Sequence, residues 1–224
     1  MKKMLLSPFF ALGLVIIMGG VFFGIFTQIS YEQVYSLTAD WGVVDTTCIF
    51  LWLVCFYTVA WLWIKGKIEV SKILLSFILI LLMCAVVREM GIQHCLTTSD
   101  TTPFKINFFK KPTNPLGEKI IFGSVLLSVI FMVLFLIGYY FKKLWYGFWR
   151  LQTPAWTFAT FGGLLVVSKV LDRLPSRLVK SGVQLSDTVH SAFSWFEETS
   201  EILLPVLLLI LLFQIVLTNE KGKK

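Results

Sequence analysis

Histidine and cysteine are almost missing from this chain, with two and four copies among 224 residues, and only 15% of it is charged. No HExxH, CxxC or paired-histidine spacing occurs. The common sequence marks of a zinc enzyme or a thiol-redox centre are therefore missing. Walker and GxSxG patterns are also absent, which removes the phosphate-cradling loop and the serine-hydrolase elbow. Acidic side chains are the scarcer sign, 13 against 20 basic ones, for a net charge of +7. With no soluble basic domain and no recognition motif, that balance does not point to nucleic acid. Cys55 and Cys84 fall in apolar stretches and read as small packing residues. Cys48 and Cys95 lie near helix ends on one side, where an oxidising compartment would permit a disulfide.

What the chain has in excess is apolar surface: 57% hydrophobic residues and a mean hydropathy of +0.80. That exceeds what a soluble domain carries. Crossing about 30 Å of hydrocarbon takes roughly 20 apolar residues. Such runs occur near 9–26, 46–64, 73–92, 120–141, 156–175 and 187–217. They predict an all-α, polytopic integral membrane bundle of six transmembrane helices in a single domain, 1–224, with a long loop over 95–119. The first run has no small-x-small cleavage site before Thr27 and reads as a retained helix.

Basic residues in short loops set the orientation. With a cytoplasmic N-terminus, the inner segments hold eleven bases, among them Lys65, Lys67, Lys142, Lys143 and Arg150, against Glu69 and Glu220. Both termini are therefore expected on the cytoplasmic side of a bacterial inner membrane. Trp61, Trp63, Trp145, Trp149 and Trp156 gather at the same boundary, where indoles prefer to sit. Gly20 and Gly24, and Ala155, Ala159 and Gly163, form small-residue stripes that permit close helix packing within the chain or in a homo-oligomer. Pro205 frees a backbone carbonyl and invites a kink.

Three charged clusters then fall at similar depths. They are Arg88 and Glu89 at the end of the third run, Lys169, Asp172 and Arg173 at the end of the fifth, and Glu197, Glu198 and Glu201 at the start of the sixth. Ionisable groups inside a bilayer are costly, face protein or a cavity, and mark functional sites. Lys169 precedes Asp172 and Arg173 by three and four residues, so one helix side carries all three and Lys169 can pair with Asp172. His190, Glu197 and Glu201 follow spacings of seven and four and form another stripe. Three embedded bases against five acids leave two carboxylates over. An unpaired carboxylate in low dielectric holds its proton more tightly, which suits an acid–base group or a proton carrier.

Three functions fit this pattern. In the sharpest, Arg88, Lys105, Lys169, Arg173 and Arg177 hold an anionic lipid headgroup, with Glu197, Glu198, Glu201, His190, Glu89 and Asp172 as acid–base candidates. The loop around Lys105, in which Phe104, Ile106 and Phe108 alternate with polar residues, would then lie at the interface with rings in lipid and amines among phosphates. Alternatively the charges are an intramembrane salt-bridge network in an accessory subunit with a membrane-protein partner. In the third, a small proton- or cation-coupled transporter or channel uses the excess carboxylates. No cofactor is expected, although His94, His190 and Glu201 supply ligand types that would suit a divalent metal.

Overall fold

The computed structural model describes residues 2–39, 41–92, 96–98 and 103–222. His94 and Cys95 lie outside the described residues. Helices and turns account for the regular structure of the described residues, and none of these is in a strand. They comprise α1 (Lys2–Leu5), α2 (Phe10–Phe26), α3 (Tyr31–Thr38), α4 (Val43–Ile64), α5 (Lys72–Glu89), α6 (Ile106–Lys110), α7 (Leu116–Trp149), α8 (Thr153–Lys180) and α9 (Asp187–Gly222).

Among the described residues, four helical stretches are long and apolar enough to cross a membrane: Tyr31–Ile64, Leu116–Trp149, Thr153–Lys180 and Asp187–Asn219. Two further apolar helices are shorter in reach. α2 has 17 residues, about 25 Å at the helical rise. The 18 residues of α5 begin with Lys72 and finish with Arg88 and Glu89, so its uncharged part is shorter still.

Helix boundaries follow from local chemistry. Ser30 and Gln33 form a capping box that starts α3, and the Ser71 hydroxyl accepts from the Leu74 N–H to start α5, in each case satisfying otherwise orphaned donors. α4, α7 and α8 all end in the same way. After α4, Lys67 N donates to Leu62 O and Gly66 N to Trp63 O, with Gly66 at φ 62. Gly182, at φ 89, does this after α8. After α7 the left-handed position is occupied by Leu151, at φ 51, a conformation that disfavours side chains with a Cβ.

The chain forms two compact units. In the first, residues 1–68 and 143–224, α9 is the central post: α8, α4, α3 and α2 all pack on it. Trp195 is buried with Val34 and Val44, and Phe22, Phe26, Leu37 and Phe196 surround them. Its indole N–H donates to Phe22 O at 3.0 Å. Towards the other end of α9, Gln214 is fully buried; it accepts from Thr157 Oγ1 at 2.6 Å and donates to Leu5 O at 3.0 Å. Thr153 Oγ1 donates to Leu6 O at 2.6 Å, so hydrogen bonds fasten the N-terminal segment to α8 and α9.

The second unit, 69–142, holds α5, α6 and most of α7. Phe77 of α5 meets Phe131 and Phe135 of α7 edge-on. Here the segment around Lys105 departs from the expected alternation of rings. Phe108 is fully buried while Phe104 is 40% and Ile106 70% exposed, because the chain turns from the extended residue Lys105 into the short helix α6 and the two-residue alternation stops there. Phe122 packs against both rings, and Asn114 donates to Phe108 O. Phe108 and Phe122 thus close a small core.

Candidate functional site

The site is assembled where α8 lies against α9. The packed face of α8 carries Thr157, Leu164, Ser168 and Pro175, all buried, at steps of seven, four and seven residues that keep to one side of a helix. One residue beyond Ser168, Lys169 stands about 100° round the helix, at the edge of the contact. Its ammonium reaches back and donates to Glu201 Oε1 at 2.8 Å. Ser168 Oγ donates to the same oxygen at 3.3 Å. The Glu201 side chain is 7% exposed and that of Lys169 38%.

That pairing differs from the one expected within α8. Lys169 binds Glu201 across the interface, and among the described residues Asp172 makes no ion pair, being exposed. The physical reason is burial: a carboxylate removed from solvent needs a cation, whereas exposed Asp172 keeps its water.

Glu201 is also held through its backbone. Pro205 has no N–H to give to the carbonyl four residues earlier. The Cys48 sulfur of α4 lies 3.6 Å from that Glu201 carbonyl as its donor, and Cys55, two turns on, bonds Pro205 O at 3.3 Å. Two thiols on one face of α4 thus serve the proline-interrupted stretch of α9. Ser168 does not stand out in the sequence, and Cys48 does so only as a possible disulfide partner of Cys95; the proline four residues after a glutamate was the one available signal.

The remaining candidates separate by burial. Glu197 and Glu198 are half-buried and His190 is exposed. Eleven residues of continuous helix, about 16 Å of rise, separate His190 from Glu201, so those two cannot share a metal ion. Among the described residues no group of three or more His, Cys, Asp or Glu side chains is placed to hold one. Arg88, Glu89 and Lys105 belong to the second unit. There Arg88 Nη1 lies 3.7 Å from Glu89 Oε1 at the end of α5, and Lys105 is exposed at the start of α6.

No family model, characterised protein or solved structure matches this chain. Its chemistry must be read from the side chains themselves.

On the outward side of α8, Arg173, Arg177 and Lys180 follow Lys169 at four-, four- and three-residue steps. All three are exposed, and none forms an ion pair among the described residues. Their strip is turned roughly 160° from the packed face, at about 100° per residue. Lys169, Arg173 and Arg177 border a shallow depression of about 360 Å³ whose other walls include exposed Leu165, Val166 and Val170. The helix therefore presents an apolar strip that becomes basic towards its C-terminal end. Cations there also complement the negative end of the helix dipole.

Proposed function

We propose that this chain is an integral protein of a bacterial inner membrane that binds an anionic lipid headgroup at the basic end of α8. In this reading six helices cross the membrane, α2 and α5 included, and both termini are cytoplasmic. The headgroup site then faces the outer leaflet.

The supporting observation is the division of roles along α8. Lys169 is engaged by buried Glu201, whereas Arg173 and Arg177 are exposed beside Leu165, Val166 and Val170. If the run 156–175 spans about 30 Å of hydrocarbon, Arg173 lies just inside its end and Arg177 about 3 Å beyond. That is headgroup depth, and guanidinium groups bind phosphate oxygens in a fork geometry. The same ion pair favours two other readings unequally. A cation already on Glu201 weakens the case for a free proton carrier, while its linking of two helices suits an accessory subunit whose charges only assemble the bundle.

Native mass spectrometry of gently extracted protein tests the proposal. Anionic phospholipid should remain bound to the wild type and be lost from Arg173→Gln/Arg177→Gln, a variant that disturbs no ion pair among the described residues. Equal lipid retention by both proteins, or retention of a partner subunit with no anionic lipid, would sink it.

A further inference from the structure

We infer that the headgroup taken by α8 is a lipid-borne phosphomonoester, an inference that rests on the lipid-binding reading above. Arg173 and Arg177 stand one turn apart, about 6 Å in rise, on one exposed strip. Each guanidinium offers a planar fork that two oxygens can fill. A phosphodiester carries one charge, so two guanidiniums gathered on it leave one positive charge unmatched. A phosphomonoester has three terminal oxygens and close to two negative charges, and can engage both arginines together. Charge balance agrees. Lys169 is matched by Glu201, and beyond it the helix carries Arg173, Arg177 and Lys180 against Asp172, three bases minus one acid, or two positive charges.

The apolar strip argues that this phosphate is attached to a lipid. Leu165, Val166 and Val170 are exposed directly below the arginines and border the same depression. A hydrocarbon chain lying on that strip carries its phosphate to Arg173 and Arg177 in register. Soluble phosphate would gain nothing from these side chains.

The test uses full-length protein in phosphatidylcholine nanodiscs doped with either phosphatidic acid or phosphatidylglycerol, with bound lipid counted by native mass spectrometry. At about pH 8 phosphatidic acid should bind about tenfold more tightly, the equivalent of one more charge-assisted hydrogen bond. The preference should shrink at about pH 5, below the second phosphate ionisation near 6, because the monoester then carries one charge like the diester. Arg173→Gln/Arg177→Gln should abolish the preference with its thermal unfolding unchanged. Equal affinity for the two lipids at both pH values would overturn this inference while leaving headgroup binding intact. Loss of both lipids to the level of phosphatidylcholine would overturn the function itself. Displacement of phosphatidic acid by excess inorganic phosphate would overturn the lipid-borne assignment.

Discussion

Glu201 and Lys169 differ in how far each depends on the other. The Glu201 side chain is 7% exposed and that of Lys169 38%, so the lysine can reach solvent or headgroups if its partner is neutralised, whereas the glutamate stays buried. Removing one partner of a buried pair is the costly direction. Lys169→Met should therefore destabilise the protein by about 3 kcal/mol. Glu201→Gln, which keeps an acceptor for Ser168 and Lys169, should cost about 1 kcal/mol. The double variant should cost less than the sum, since the pair is coupled. Thermal unfolding in detergent, followed by circular dichroism across the four proteins, measures this. Additive effects would show that the 2.8 Å contact carries no energy. Charge patterning in the sequence was enough to pick out both residues, but it assigned Lys169 to Asp172, three residues away on the same helix. Local spacing ranks pairs by proximity along the chain. Burial, which decides the energy, depends on α9 being packed against that face.

At the scale of elements, glycines divide into those that hold a turn and those that face outward. A Cβ on Gly42, between α3 and α4, would sit 2.5 Å from Leu37 O and 2.8 Å from Ala39 O, both backbone atoms that cannot swing aside. One on Gly147 would meet Gln152 Oε1 at 2.9 Å and Ala155 Cβ at 3.0 Å, and the glutamine end can move. At Gly20 and Gly24 no atom of the described residues lies within 4 Å of such a Cβ. Alanine should accordingly be most damaging at Gly42, intermediate at Gly147, and neutral or stabilising by about 0.5–1 kcal/mol at Gly20 and Gly24, where it improves helix propensity. Unfolding midpoints of the single variants check this order. A marked loss at Gly20 or Gly24 would instead mean that α2 packs there on a second protein. The GxxxG pattern was visible in the sequence without saying whether it served this chain or another. Within the first unit, both glycines are exposed.

For the whole molecule, the proposed topology is the claim most open to direct measurement. Basic residues concentrate in segments assigned to one side, and Trp61, Trp145 and Trp149 are exposed close to that end of their helices, as interfacial indoles would be. A fluorescent protein fused to the C-terminus should be fluorescent in bacterial cells, and alkaline phosphatase inserted in the 181–186 turn after α8 should be active. The reverse pair of results would invert the proposed orientation and move the basic end of α8 to the inner leaflet. α5 is the sensitive element, because its charged ends leave it the shortest reach of the proposed crossings. Phosphatase activity on both sides of α5 would remove it from the membrane and change the side on which α2 enters.

The sequence alone, by composition and apolar run length, was enough to read the chain as helical, with helices long and apolar enough to cross a membrane. Apolar runs of bilayer length have no other stable form, since backbone groups in hydrocarbon must bond within their own segment. It also marked which residues carry charge into those runs. The partners came from packing: Glu201 with Lys169 and Ser168, its carbonyl with Cys48, and Phe108 with Phe122 in a small core. These choices depend on which helix faces meet and how much solvent each contact excludes. Neither quantity is encoded in the spacing of residues along one helix.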